Sequence, residues 1–172
     1  MMVEEYVEGA NDLFNATRTI LIPVDHSEYS IHAVEWAIQN WINPKTDRVF
    51  FVFCRQVDPP AAFLADADLV ITNATTYNGF EAANEESKQD ACHMLKAYSD
   101  LIKQAGIHHT CISLIGNPKE ELLNWIEKHN PTLVVMGNRG LGAIKKMFLG
   151  SVSQYLLDNA KVPITIVPLK CQ

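Results

Sequence analysis

Two places in this 172-residue chain gather residue types suited to holding a phosphorylated ligand. The first is Gly137-Asn138-Arg139-Gly140-Leu141-Gly142, followed after Ala143 to Leu149 by Gly150-Ser151-Val152-Ser153. Glycine carries no Cβ, so its backbone N–H can turn outward and approach a ligand closely. Successive outward amides make an anion-binding hollow, and a helix N-terminus adds about half a positive charge. Ser151 and Ser153 offer hydroxyl groups to phosphate oxygens, or cap the helix they open. The second place is Asp25, a carboxylate at the end of an apolar run. It faces a ligand across from the glycines, or it caps the helix that begins near Ser27. Arg139 has two readings, one reaching a phosphate and one pointing into solvent. Met136 leads into the glycines with a core side chain, and Lys145 and Lys146 read as a solvated face.

Several familiar chemistries are absent from the pattern. No GxxxxGK[ST] loop occurs, and the glycine order is GxxGxG rather than the GxGxxG of a dinucleotide fold. No GxSxG elbow occurs. The six histidines form no HxxH or HExxH pair, so no metal-ligating set is assigned. Hydrolysis of a nucleotide needs a positioned water, a group to orient it and neutralisation at the γ-phosphate. No residue stands out as the general base, so no catalytic residue is assigned and turnover is expected to be slow or absent.

These residues need a scaffold, and the periodicities supply one. Thr19 to Val24 is a β-branched apolar strand ended by Asp25-His26-Ser27, and Ile31, Val34, Ile38 and Trp41 follow at helical spacing. Val49 to Cys54 is apolar at every position, as a strand covered on both faces must be. The stretch from Arg55 to Phe80 is the hardest to read, with a short helix proposed over 61–69. A helical stripe is clear again from Ala91 to Ile102 and ends at Gly106. A strand from Thr110 to Ile115 is followed by Asn117-Pro118-Lys119-Glu120, which has the order of a helix start. Leu133 to Met136, a helix from about Ser151 to Asn159 and Ile164 to Val167 complete the pattern. Five buried strands alternating with helices point to a single-domain α/β fold, a three-layer sandwich about a parallel sheet. Residues 1–16 read as a loose N-terminal extension to a domain spanning 17–172.

Composition narrows the function. Hydrophobic residues are 48% and charged residues 20%, so the chain can bury a core. The net charge is −6, a surface that repels phosphate backbones and anionic membranes, so neither nucleic acid nor membrane is expected as a partner. The acidic start lacks the order of a secretory signal. Cys54, Cys92, Cys111 and Cys171 are widely spaced and read as reduced thiols, which suits the cytoplasm.

The arrangement resembles the ATP-binding branch of the universal stress protein family. That branch carries Gly, two residues, Gly, nine residues, then Gly and Ser or Thr, and Gly137, Gly140, Gly150 and Ser151 reproduce it. Pro23-Val24-Asp25-x-Ser27, Gly116-Asn117-Pro118, Val134 to Gly137 and Lys161-Val162-Pro163 extend the resemblance over residues 17 to 169. It implies a Rossmann-like sheet of the adenine nucleotide alpha hydrolase type, with its five strands ordered 3-2-1-4-5. It implies ATP as ligand, with AMP or cyclic AMP as alternatives and Mg²⁺ as a companion of the nucleotide. Pro23, Val24 and Asp25 would lie beside adenine and ribose, and the Cys54 backbone at the adenine edge. Gly137, Gly140, Gly150, Ser151 and Val152 would hold ribose and phosphates, with Met136, Asn138, Arg139, Gly142 and Ser153 completing the site. Asn138 departs from the small hydroxyl residue frequent there. The resemblance also implies a homodimer pairing through Ile164 to Val167, whose edge position would leave unpaired backbone groups. The expected role is a nucleotide-dependent regulatory module, with a slow ATPase and a partner-binding protein with a vestigial site as alternatives.

Overall fold

The computed structural model describes residues 4–8, 16–56, 74–138 and 149–169. Five parallel strands, β2 (Arg18–Pro23), β3 (Asp47–Arg55), β4 (His108–Ile115), β5 (Leu133–Gly137) and β6 (Ile164–Val167), lie in the order β4-β3-β2-β5-β6. In chain order of the parallel strands this is the expected 3-2-1-4-5. A sixth strand, β1 (Glu4–Glu8), pairs antiparallel with β4 at the far edge. Part of the segment expected as a loose extension is therefore sheet. Its glutamates are the charged residues an edge strand tolerates, which masks its strand character in the sequence.

The helices α1 (Glu28–Asn40) and α2 (Ala74–Gln104) cover one face of the sheet, and α3 (Pro118–His129) and α4 (Ser151–Asn159) the other. Ile20, Ile22, Val49, Phe51 and Cys111 face α1 and α2, while Leu21, Val52, Ile112 and Leu114 face α3 and α4. Alternating side chains thus build two cores from one set of continuously apolar strands, which is why those strands show no polar period. The proposed short helix over 61–69 lies outside the described residues. The helix legible from Ala91 begins much earlier, at Ala74, because its first half carries little apolar periodicity.

The buried face of α1 is Ser30, Ala33, Val34 and Ala37. Ile31 and Trp41, read as part of that stripe, are instead 46% and 45% exposed. Small residues bring the helix close to the sheet, and a Cβ on Gly137 would stand 2.4 Å from the Tyr29 carbonyl oxygen. Helix ends follow their local chemistry. Ser27 accepts from the Ser30 N–H, Asn117 from the Lys119 N–H, Gly106 ends α2 at φ 67° and Asn130 ends α3 at φ 44°.

At the end of the sheet away from the glycines, the inaccessible Asp47 carboxylate is held by the Arg18 guanidinium, the Thr46 hydroxyl and the Asn43 N–H. Burial alone would raise its pKa. The Arg18 hydrogen bond, helped by the Asn43 and Thr46 donors, outweighs that and holds it below the ordinary carboxylate value. No helix among the described residues is long and apolar enough to cross a membrane.

Candidate functional site

Strand order reverses between β2 and β5, and a crevice opens beyond their carboxyl ends, where such sheets bind ligands. The cleft has a volume of about 380 Å³, within the range of small-molecule pockets. Pro23, Val24 and Asp25 enter it from the end of β2, Cys54 from β3, and Met136 and Gly137 from β5. Gly150, Ser151, Val152 and Ser153 enter it from the start of α4. Ten of the residues singled out in the sequence therefore share one hollow. Asn138 does not line it: its N–H donates to the Val167 carbonyl at 3.0 Å, and its side-chain oxygen is buried with no hydrogen-bond partner among the described residues. Arg139, Gly140 and Gly142 lie outside the described residues, as do Lys145 and Lys146.

The carboxylate of Asp25 organises the start of α1. Its Oδ1 accepts from the Ser27 N–H at 2.9 Å, the Ser27 hydroxyl at 2.5 Å and the Ser30 hydroxyl at 2.7 Å. Its backbone carbonyl accepts from the Tyr98 hydroxyl at 2.9 Å, tying β2's end to α2. Both readings of Asp25 therefore hold in geometry, since it braces a helix start and also faces the cleft. Gly137 is likewise double, because the close approach of Tyr29 already demands glycine there.

The α4 terminus differs from those of α1 and α3. Gly150 is its N-cap and makes no side-chain capping bond, and the first backbone bond runs from Gln154 to Gly150. The N–H groups of Ser151, Val152 and Ser153 precede that bond, so they are the donors a helix leaves without intrahelical partners. They sit at the wall of the cleft, where the helix dipole favours negative charge.

Sequence reasoning missed His26, Tyr29, Phe53, Pro118 and Leu122, which also line the cleft. Pro118 and Leu122 carry a signal in hindsight, since α3 starts beyond a strand end on the same side of the sheet. His26 stacks edge-on against Phe53 with ring centroids 5.7 Å apart, and its Nε2 lies 2.8 Å from Asp90 Oδ2 on α2. Burial, with the nearby Glu121 charge, pushes the Cys54 thiol up to about 12, so it is protonated and no nucleophile at neutral pH. Burial and then the Asp25 charge push the Tyr98 phenol up to about 12 as well. Among the described residues, no group of three or more His, Cys, Asp or Glu is placed to hold a metal ion.

A model of the universal stress protein family matches residues 16–168. A universal stress protein of Methanocaldococcus jannaschii is 26% identical over 153 residues, covering 89% of this chain and 83% of its own. A universal stress protein family protein from Arabidopsis thaliana, solved with AMP bound, superposes with a TM-score of 0.60 at 16% identity, covering 90% of this chain and 93% of that one. A universal stress protein solved in complex with cAMP superposes with a TM-score of 0.61 at 21% identity, covering 89% and 98%. At these identities the two structures establish the fold.

Proposed function

Because the chain belongs to the universal stress protein family, we propose that it is a cytoplasmic stress-response module whose cleft binds an adenine nucleotide and whose role is regulatory. The observation that carries this reading is the α4 N-terminus, without a side-chain cap and opening onto the hollow that Asp25 also lines. AMP and cAMP, held by the two related structures, are the ligand class such a terminus suits. ATP is the proposed ligand here, with AMP and cyclic AMP as alternatives.

In this reading Pro23, Val24 and Asp25 lie beside adenine and ribose, and the Cys54 backbone meets the adenine edge. Gly137, Gly150, Ser151, Val152 and Ser153 hold ribose and phosphates together with Arg139, Gly140 and Gly142. Met136 packs beneath them, and Asn138 follows Gly137 in the chain. The described wall near α4 consists of amide and hydroxyl donors, which suit an anion and not a cation. Asp25, the one aspartate among the described residues of the cleft, spends an oxygen on Ser27 and Ser30. A Mg²⁺ ion would therefore be carried by the phosphates rather than by a protein cage.

A ligand that binds only the folded state adds RT ln(1 + [L]/Kd), about 2.7 kcal/mol at 100 times Kd. Millimolar ATP should therefore raise the melting temperature, and nucleotide should be found by chromatography in the purified protein. An unchanged melting temperature with ATP, AMP and cyclic AMP alike would overturn the reading.

The homodimer through β6 is part of the same proposal. Ile164, Thr165 and Ile166 are partly exposed at the sheet edge, which leaves a strand available for pairing. The slow ATPase is the second reading, favoured by one observation: His26 lines the cleft with Asp90 against its Nε2. A carboxylate that fixes an imidazole is the arrangement of a general base. No phosphate release by the wild-type protein would remove this reading, and release that persists in His26→Gln at unchanged ATP affinity would remove His26 as its base.

A further inference from the structure

A second hollow lies behind the first, between α1 and α2, with a volume of about 440 Å³. Its floor is Met94, Tyr98 and Leu101 of α2, and its open side is Ile31 of α1 and Ala97 of α2. Ile31 has the helical spacing of a core residue, yet it is 46% exposed because Ala33 and Ala37 take the sheet-facing positions. Ile31 and Ala97 stand outside the buried core, and the nucleotide cleft does not include them.

The ionisable groups around this floor are three carboxylates and two imidazoles. Asp25 and His26 form the wall it shares with the first cleft, and Glu35, Asp90 and His93 stand at the rim. Three carboxylates line it, and among the described residues no lysine or arginine does. Asp90 is engaged by His26, whereas Glu35 forms no hydrogen bond or ion pair among the described residues. An apolar floor of this size beneath acidic groups complements a molecule with an apolar body and a positively charged end. A hollow of a few hundred cubic ångströms takes a small molecule rather than a helix.

We propose that the α1–α2 hollow is a binding site for a small amphipathic amine, its hydrocarbon or aromatic body on Ile31, Met94, Ala97 and Leu101 and its ammonium group toward Glu35. The site adjoins the nucleotide cleft across Asp25 and His26 but does not rest on the nucleotide reading.

The test is a methyl-labelled NMR titration of the full chain with 4-phenylbutylamine, and with its anionic counterpart 4-phenylbutyrate. The amine should produce saturable shifts at the methyl groups of Ile31, Met94, Ala97 and Leu101. The carboxylate should bind at least about tenfold more weakly, because attraction to the rim is replaced by repulsion. Glu35→Gln should weaken the amine roughly two- to fivefold, the range of a solvent-exposed ion pair. Ala97→Phe, at a solvent-exposed helix position, should fill the hollow and abolish the shifts while the melting temperature is kept. Should that variant not fold, Glu35→Gln alone still decides the charge requirement. Absence of saturable shifts, equal binding of the two probes, or shifts confined to Val52, Leu122 and Val152 of the first cleft would overturn the proposal.

Discussion

Gly137 illustrates how a motif residue can serve packing and ligand at once. Its Cα faces the Tyr29 carbonyl oxygen, which a Cβ would meet at 2.4 Å, and backbone cannot yield as a flexible side chain does. Gly137→Ala should therefore destabilise the fold at the upper end of the overpacking range, about 3 kcal/mol, seen as a lowered urea midpoint. Wild-type stability in that variant would mean α1 does not seat as described. Asp25 was legible as a strand-end carboxylate, because β2 is apolar up to it. Its several donors were not, since Ser27 and Ser30 converge on it only when α1 turns back across the sheet. His26 was illegible for a different reason. A lone histidine beside a helix cap carries no pattern, and its partner Asp90 is 64 positions away in the chain.

At the scale of elements, the strands and caps were readable because their causes are local: apolar continuity, Ser27, Asn117-Pro118 and Gly106 each act within a few residues. The first half of α2 and the strand β1 were not readable, since neither carries a clear apolar period in the sequence. The pair formed by Arg18 and Asp47 belongs to this scale, because it fastens β2 to the start of β3. Asp47→Asn removes the charge that Arg18 serves. Its cost should lie at or below the lower end of the roughly 3–5 kcal/mol for broken buried pairs, because Arg18 is 38% exposed and can rehydrate. The pH dependence has a defined sign. The folded state lowers the Asp47 pKa, so its contribution is complete above the unfolded value of about 4 and fades as pH falls through the folded value. Urea midpoints measured from neutral to strongly acidic pH should fall in wild type through this window, and fall less in Asp47→Asn. Equal slopes would deny the pair its role.

For the whole molecule, strand order decides where chemistry can occur. The reversal between β2 and β5 places the ends of the two candidate segments side by side, and among the described residues the sheet ends in the charged strand β1 on one side and the apolar strand β6 on the other. The parallel order was legible through family resemblance. Alternation of strands and helices alone gave the sheet type but not the neighbours. The apolar β6 edge predicts self-association. Sedimentation equilibrium at micromolar concentration should report twice the 19.3 kDa chain mass, and a purely monomeric species would contradict the dimer. The central claim is that the exposed amides at the start of α4 hold the phosphate of an adenine nucleotide in the cleft beside Asp25. Titration calorimetry of the nucleotide-free protein with AMP and with adenosine tests it most directly. One AMP should bind per chain, with adenosine far weaker. Equal affinity for the two, or no heat from AMP, would contradict the account.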